Sequence, residues 1–261
     1  MNKTNKELTP LHTLNPLNRF SDRVEDYVKY RPSYPDAAID KILENFTLPI
    51  AAADIGAGTG ISSRLLASRG VKIIAIEPNA EMRNAGIGGA TSLVEWKDGT
   101  AEATNLPDAS VDLITCFQAF HWFNPEATLA EFQRILKPSG KLAVVWNNRD
   151  RNDKFTAEYS RIISAASNNH PAESRMKTVE YLTETTYFNN FCEYTFVNQQ
   201  ELDESGLIGR AMSSSYVPRE GEAYEQVISE LENLYQQFKN QQGFVYMTYC
   251  TSVYIGEPVN N

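Results

Sequence analysis

The sequence predicts an α/β fold in which helices flank a doubly wound, mostly parallel sheet. Five short apolar runs alternate with segments of helical periodicity between residues 51 and 146. One of these runs, at residues 111–117, is apolar almost throughout, as a strand buried on both faces should be. Two aromatic-rich runs at residues 191–197 and 244–255 bring the predicted strands to seven. Strands and helices that alternate in this order form parallel sheets with right-handed crossovers.

Local patterns predict each element in turn. A helix over residues 19–30 comes first, and an extended segment follows it because Pro32 and Pro35 exclude the preceding residues from helical geometry. Apolar runs bounded by turn residues predict core strands at residues 51–54, 71–76, 92–96, 111–117 and 141–146. Apolar residues that recur every three or four positions predict a helix that begins at residue 61 and helices at residues 36–46, 79–85, 125–136 and 222–239.

The length of the chain fits a single domain with added segments. Residues 1–18 are polar and contain prolines, so we expect a flexible arm before one domain at residues 19–261. The core of that domain covers about residues 36–149. Two less regular stretches, at about residues 150–190 and 200–243, are the expected helical insertions. We expect these insertions to form a lid over the carboxyl edge of the sheet, where such folds bind their ligands.

A glycine-rich turn joins the first strand to the next helix. Within Asp-Ile-Gly-Ala-Gly-Thr-Gly, the residues Gly56, Gly58 and Gly60 occupy alternate positions. Glycines permit positive φ angles and carry no Cβ that would keep a ligand away from the backbone. The start of the helix offers unpaired N–H groups to an anionic or lone-pair-rich ligand. Asp54 ends the strand, and we expect it to point an acceptor into the same crevice.

The spacing of the turn and a second acid indicate which ligand the crevice binds. The dinucleotide fingerprint has a glycine or alanine three residues after its second glycine, but Ile61 occupies that position. Glu77 follows the second strand, where a carboxylate accepts hydrogen bonds from the two hydroxyls of a ribose. The pattern therefore favours a nucleoside over a pyrophosphate. A nicotinamide-dependent oxidoreductase is the alternative enzyme, which Ile61 and the lack of an evident acid–base pair for hydride transfer disfavour.

These motifs resemble the class I S-adenosylmethionine-dependent methyltransferases. The resemblance rests on residues 54–60 and on Ile-Glu-Pro-Asn-Ala-Glu-Met at residues 76–82. Tyr-Arg-Pro-Ser-Tyr-Pro at residues 30–35 and Phe-Gln-Ala-Phe-His-Trp-Phe at residues 117–123 are similar to the type 11, small-molecule branch, which includes the trans-aconitate methyltransferase-like proteins. The resemblance covers residues 20 to about 147. It implies a Rossmann-like seven-stranded sheet with an antiparallel last strand, S-adenosylmethionine as cofactor, and a small-molecule acceptor.

The resemblance also implies which residues bind the cofactor. Ala101 and Glu102, after the third strand, would hold the adenine, and Gln118, after the fourth, would line the methionine end. Tyr27 and Arg31 precede the sheet and could fold over the cofactor. The full predicted set is Tyr27, Arg31, Asp54, Gly56, Gly58, Gly60, Glu77, Pro78, Met82, Ala101, Glu102 and Gln118.

Two residues are candidates for catalysis. Arg31 offers a rigid fork of donors suited to a carboxylate of the cofactor or of the acceptor. His121 lies close to the reactive edge of the predicted sheet. Methyl transfer needs a base only when the acceptor carries a proton at neutral pH, so His121 is either that base or a residue that sets the shape of the site. We expect no metal, because no group of histidine, cysteine and acidic residues has ligand spacing.

The composition of the chain limits the kinds of partner that it can bind. The net charge of −9 disfavours nucleic acid and an anionic membrane as partners. Three cysteines cannot all pair, and the sequence shows neither an apolar signal core nor the ~20-residue apolar run of a membrane helix, so we expect a cytoplasmic protein. We expect a monomer or homodimer that methylates a small molecule, with a carboxylate or hydroxyl oxygen favoured over nitrogen or carbon. A non-catalytic protein that binds S-adenosylmethionine is the third hypothesis.

Overall fold

A seven-stranded sheet forms the centre of the computed structural model, which describes residues 11–13, 23–89, 91–167 and 177–259. The strands are β1 (Ala51–Ile55), β2 (Lys72–Ile76), β3 (Val94–Lys97), β4 (Val111–Phe117), β5 (Leu136–Arg149), β6 (Phe188–Leu202) and β7 (Val245–Pro258). Their order is β3-β2-β1-β4-β5-β7-β6. β1 to β5 are parallel, and β7 runs antiparallel to both β5 and β6. The predicted fold class, including the antiparallel last strand, is confirmed.

Helices cover both faces of the sheet. Those in the described ranges are α1 (Val24–Tyr30), α2 (Asp36–Leu43), α3 (Ile61–Ala67), α4 (Ala80–Gly88), α5 (Pro125–Ile135), α6 (Lys154–Ala166), α7 (Lys177–Thr183), α8 (Glu204–Met212) and α9 (Glu222–Phe238). α2 and α3 contribute to the apolar core on one face, and α5 and α7 contribute to the core on the other. None of the described helices is long and apolar enough to cross a membrane.

Capping side chains define where several of these helices begin. Asn79 and Asn124 accept hydrogen bonds from the backbone N–H three residues later, at the starts of α4 and α5. Asp153 and Asp203 do the same for α6 and α8. An acceptor at this position satisfies a backbone N–H that the helix itself cannot pair. The first turns of these helices are therefore fixed by local sequence.

A third apolar core lies away from the centre of the sheet, among α6, α8, α9 and the first half of β7. We call these three helices the helical cluster. Buried members of this core include Tyr159, Leu207, Leu231 and Tyr249. Helix α1 packs against α8, and Arg23, next to the start of α1, donates hydrogen bonds to backbone carbonyls that follow α8. The helical cluster is therefore in contact both with the sheet and with the segment that precedes the sheet.

Several predicted boundaries are wrong. β5 begins at Leu136, five residues before the predicted start, because the chain pairs with β4 directly after α5. β6 extends from Phe188 to Leu202 because it pairs with β7 along that length. Many of its residues are polar, so the apolar pattern predicted only part of the strand. α8 was not predicted at all. The other core elements differ from their predicted bounds by two or three residues at most.

The segment before the sheet is described only in part. The helix predicted over residues 19–30 begins at Val24, and residues 19–22 of that prediction lie outside the described residues. Within the predicted flexible arm, residues 1–10 and 14–18 also lie outside them. Leu11–Thr13 form one turn of 3-10 helix, and the expectation of a flexible arm stays a prediction.

Candidate active site

The glycine-rich turn lies between β1 and α3, at the carboxyl edge of the parallel strands. Gly56, Gly58 and Gly60 have φ angles of 69°, 58° and 79°, a region that residues with a Cβ rarely adopt. A Cβ on Gly56 would lie only 2.7 Å from the Cβ of Ala119. The turn therefore packs directly against the segment that follows β4, and position 56 has no room for a side chain.

Glu77 follows β2 and is buried beside this turn. One carboxylate oxygen accepts a hydrogen bond from the Gly58 N–H at 2.8 Å, and the other accepts one from the Asn79 N–H at 2.9 Å. Burial raises the pKa of Glu77, while these two N–H donors act in the opposite direction. A carboxylate oxygen has more than one lone pair, so both oxygens can still accept a hydrogen bond from a ligand.

The turn and Glu77 open onto a cavity of about 520 Å³, a volume typical of small-molecule and cofactor sites. The predicted residues that line it are Tyr27, Gly56, Gly58, Glu77, Pro78, Met82, Ala101, Glu102 and Gln118. They come from α1 and from the segments that follow β1, β2, β3 and β4. The structure thus brings together nine of the predicted cofactor residues around one space.

Asp54 does not line the cavity, which corrects the expectation that it points into the crevice. It is completely buried, and its Oδ2 accepts hydrogen bonds from the hydroxyls of Ser62 and Ser63 at 2.6 Å each. Its Oδ1 accepts a third from Thr115 at 2.9 Å. Burial raises the pKa of Asp54, and the three hydroxyl donors oppose that shift. Asp54 therefore ties the start of α3 to β4.

Gly60 also lies outside the cavity wall, which is the second correction. A Cβ on Gly60 would lie 2.8 Å from the indole ring of Trp96, and one on Gly86 would lie 2.2 Å from the same ring. The ring thus occupies the space that side chains at these two positions would need. The absence of a side chain at Gly60 serves the packing of α3 and α4 against β3.

Gln118 and Glu102 are held in place on the cavity wall by backbone contacts. Gln118 has a φ of 55°, and its side-chain Nε2 donates a hydrogen bond to the carbonyl of Asn147 at 2.9 Å. A left-handed conformation is uncommon outside glycine and occurs often at functional sites. Glu102 accepts a hydrogen bond from the N–H of Asn124 at 2.9 Å. Both side chains therefore have defined positions before any ligand binds.

The two candidate catalytic residues, Arg31 and His121, are not among the residues that line the cavity. The guanidinium of Arg31 lies 4.6 Å from the ring centre of Tyr27 and donates a hydrogen bond to the carbonyl of Ser213 at 2.8 Å. His121 is buried in the 3-10 helix Phe120–Trp122, its ring 5.2 Å from that of Trp122. Each of the two therefore reaches the cavity through an aromatic neighbour, Tyr27 or Trp122.

Sequence reasoning missed eight lining residues. These are Thr13, Asn79, Thr100, Phe117, Ala119, Trp122, Phe123 and Asn124. Six of them lie next to a predicted cofactor residue or in a quoted motif, and Asn124 directly follows a quoted motif, so extending each motif by a few residues would have found these seven. Thr13 is the exception, because it falls in the predicted flexible arm and carries no signal.

The charged side chains of the cavity wall favour a ligand that contains a cationic group. Among the described lining residues, Glu77 and Glu102 are acidic and none is a lysine or an arginine. Tyr27, Trp122 and Phe123 add aromatic faces, which attract cations. The described ranges contain no group of three or more histidine, cysteine or acidic residues that could hold a metal ion.

Comparison with known proteins identifies methyltransferases. The methyltransferase domain family matches residues 53–144. An uncharacterized methyltransferase-like protein of Schizosaccharomyces pombe is 32% identical over 222 residues, which cover 84% of this chain and 86% of the yeast protein. An uncharacterized methyltransferase of Mycobacterium tuberculosis is 36% identical over 203 residues, or 76% of each chain.

Solved structures share the fold at low sequence identity. A protein of Anaeromyxobacter dehalogenans described as a type II methyltransferase has a TM-score of 0.66 at 21% identity, covering 87% of this chain and 98% of its own. Phosphoethanolamine N-methyltransferase 2 of Haemonchus contortus, in complex with S-adenosyl-L-methionine, has a TM-score of 0.56 at 14% identity, covering 98% of this chain and 61% of its own.

Proposed function

Because this chain belongs to the class I S-adenosylmethionine-dependent methyltransferases, we propose that it transfers the methyl group of its cofactor to an oxygen atom of a small-molecule acceptor. The cavity at the carboxyl edge of the sheet carries this proposal, because Glu77 and the glycine-rich turn meet there. We favour a carboxylate over a hydroxyl as the group that accepts the methyl.

Residues of the cavity wall can bind each part of the cofactor. Glu77 accepts hydrogen bonds from the ribose hydroxyls, and Gly58 leaves room for the ligand beside the backbone. Ala101 and Glu102 would contact the adenine, and Gln118 would lie at the methionine end. These assignments follow the order in which the strands present their carboxyl ends along the sheet.

When bound, the cofactor supplies a methyl group that its positively charged sulfur already activates. The main task of the protein is to hold the acceptor atom about 3–3.5 Å from that carbon and in line, which contributes roughly 7–11 kcal/mol. Tyr27, Trp122 and Phe123 line this space with aromatic rings. An ionised carboxylate needs no base, and the described cavity wall contains no histidine, which is why we favour a carboxylate.

Charge and volume support a small acceptor. The net charge of −9 opposes binding to nucleic acid, and the cavity volume of about 520 Å³ lies in the range of small-molecule sites. The three cysteines are all free thiols, which supports our proposal of a reducing compartment such as the cytoplasm.

Ligand binding followed by a transfer assay tests the proposal. We expect calorimetry to show binding of S-adenosylhomocysteine and none of NADH. We then expect labelled S-adenosylmethionine to transfer its methyl group to organic acids in a metabolite library. The products should be methyl esters, which mild base hydrolyses. Tight binding of NADH alone would contradict the cofactor, and base-stable products alone would contradict the carboxylate. Cofactor binding with no transfer to any member of the library would favour a non-catalytic protein.

A further inference from the structure

The segment between β3 and β4 contributes three consecutive residues to the cavity wall. These residues are Thr100, Ala101 and Glu102. Two backbone hydrogen bonds between Thr100 and Ala103, 3.2 and 3.3 Å long, close them into a tight turn, which we call the 100–103 turn. Contacts on the side of this turn away from the cavity therefore help to fix where its cavity side lies.

Glu131, on α5, contacts the chain directly after the 100–103 turn. Its Oε1 accepts hydrogen bonds from both the N–H and the hydroxyl of Thr104, at 2.9 and 2.5 Å. Thr104 is completely buried, and the Glu131 side chain is only 10% exposed. Although burial raises the pKa of Glu131, hydrogen bonds from Arg134 and Thr104 outweigh this effect and hold that pKa below its ordinary value. The group that holds Thr104 is therefore an ionised carboxylate at neutral pH.

Arg134, one turn later on α5, fixes the position of Glu131. Its guanidinium donates one hydrogen bond to each carboxylate oxygen of Glu131, both at 2.8 Å, and another to the carbonyl of Leu106 at 2.8 Å. Paired hydrogen bonds of this kind hold both side chains in one geometry. At the other end of α5, the N–H of the capping residue Asn124 donates to Glu102. Both ends of α5 therefore hold the segment that carries the 100–103 turn.

A second pair with the same spacing shows what is particular to Glu131. Glu158 and Arg161 on α6 also form a hydrogen-bonded ion pair one turn apart, at 2.9 Å. Their side chains are 49% and 62% exposed, and exposed pairs of this kind contribute little to stability. Glu131 differs because it also binds a buried residue next to the cavity wall.

The order of the strands indicates which part of the cofactor the 100–103 turn faces. The glycine-rich turn follows β1, Glu77 follows the neighbouring β2, and the 100–103 turn follows β3 at the end of this row. The base and the methionine chain leave the ribose in different directions, so a ribose at Glu77 leaves the base facing the turn. There the carboxylate of Glu102 can accept a hydrogen bond from an amine of the base, but not from a carbonyl oxygen.

We propose that Glu131 is a positioning residue for cofactor recognition: together with Arg134 it holds Thr104, and so places the 100–103 turn where it distinguishes adenine from other bases. Glu131 does not line the cavity, so it acts through the turn and not on the ligand itself. A binding site needs such support, because contact residues are selective only when their own positions are fixed. The inference rests on the proposed function, since it concerns the same cofactor site.

Binding of S-adenosylhomocysteine and S-inosylhomocysteine to the full chain tests the inference. The second ligand has a carbonyl oxygen in place of the adenine amine, so it cannot donate that hydrogen bond to Glu102. We expect calorimetry to show that the wild type binds the adenine ligand about tenfold or more tightly. Glu131→Ala should reduce this ratio of dissociation constants several-fold. A role in stability alone would lower the melting temperature and leave the ratio unchanged.

Matched variants assign the effect to the contact between Glu131 and Thr104. Glu158→Ala removes the acid of the exposed pair on α6 and should keep the wild-type ratio. Thr104→Val removes the hydroxyl and should lower the ratio, whereas Thr104→Ser retains the hydroxyl and should stay close to the wild type. If Glu131→Ala does not fold, these two variants of Thr104 decide the question. A wild-type ratio in folded Glu131→Ala, or equal ratios in the two Thr104 variants, would overturn the inference.

The inference and the proposed function fail in different ways. Equal binding of the two ligands by the wild type would overturn the inference, while methyl transfer from S-adenosylmethionine would still support the proposed function. A wild type that binds neither ligand would contradict the proposed function, and the inference with it.

Discussion

Glu77 and Asp54 end two neighbouring strands, and both are buried, but they bind different partners. Glu77 receives two backbone N–H groups and keeps one side toward the cavity. Asp54 receives three side-chain hydroxyls from α3 and β4 and has no contact with the cavity. The first carboxylate is therefore available to a ligand, while the second is used within the fold.

Substitution of Glu77 should weaken cofactor binding without unfolding the protein. Glu77→Ala removes a charged hydrogen-bond acceptor, so we expect binding of S-adenosylhomocysteine to weaken by about 1.5–3 kcal/mol in total, a roughly 10- to 150-fold loss of affinity by calorimetry. Glu95→Ala, which removes an exposed carboxylate from β3, is the matched control and should bind as the wild type does. An unchanged affinity in Glu77→Ala would place this residue outside the site.

The buried carboxyl of Asp54 predicts a pH dependence of stability. A carboxyl whose pKa is raised on folding binds more protons in the native state, so the free energy of unfolding falls as the pH rises from the unfolded pKa of about 3.9 to the native value. The slope is up to about 1.4 kcal/mol per pH unit. Urea unfolding of wild type and Asp54→Asn across this window should therefore show the wild type losing stability relative to the variant. A difference of the opposite sign would mean that the three hydroxyl donors outweigh burial.

His121 should affect the rate only modestly. Its Nδ1 accepts a hydrogen bond from the indole N–H of Trp146 at 3.4 Å, and its ring packs on Trp122, so we propose that His121 positions that cavity residue. We expect His121→Asn to lower kcat less than tenfold, with a pH–rate profile parallel to that of the wild type. A base would contribute roughly 10²–10⁴-fold. A hundredfold loss in a variant that still binds S-adenosylhomocysteine and melts normally would make His121 the base.

Among the strands and helices, the sequence predicted best those elements that are buried along their whole length. β4 is buried along its length, so its apolar run marks it directly. β6 forms the edge of the sheet, and exposed residues alternate with partly buried ones along it. The sequence pattern therefore predicted only its aromatic centre. The Asp54 side chain is directed away from the cavity by its contacts with Ser62 and Ser63, and Gly60 packs against the ring of Trp96. No local sequence pattern shows these tertiary contacts.

Helix α1 should become more ordered when the cofactor binds. It packs against α8 and α4, and its Tyr27 lines the cavity, so a ligand there would contact both α1 and the glycine-rich turn. We expect S-adenosylhomocysteine to slow amide hydrogen exchange in residues 24–30. Arg31→Ala, which removes the stack on Tyr27 and the bond to Ser213, should reduce this protection, whereas Lys29→Ala should not. Exchange in α1 that is identical with and without the ligand would contradict a closing role.

At the scale of the whole molecule, long strands connect the sheet to the helical cluster. β7 contributes Met247 and Tyr249 to the core of the helical cluster and Val253 to the core of the sheet. β5 and β6 pair with β7 along most of its length. The predicted division into a core and lid insertions is therefore not a division into separate folding units, and whether the helical cluster closes over the cavity stays a prediction.

This continuity predicts that the chain unfolds in one step. All three tryptophans, Trp96, Trp122 and Trp146, lie in the part of the chain that forms the sheet, so their fluorescence reports on that part alone. Far-UV circular dichroism also reports on α6, α8 and α9. Because β7 crosses both cores, we expect the two signals to give the same midpoint in urea. S-adenosylhomocysteine at a hundred times its Kd should stabilise both by about 2.7 kcal/mol. Two separate midpoints, or a shift of the fluorescence transition alone, would show that the helical cluster unfolds independently and that the cofactor site does not depend on it.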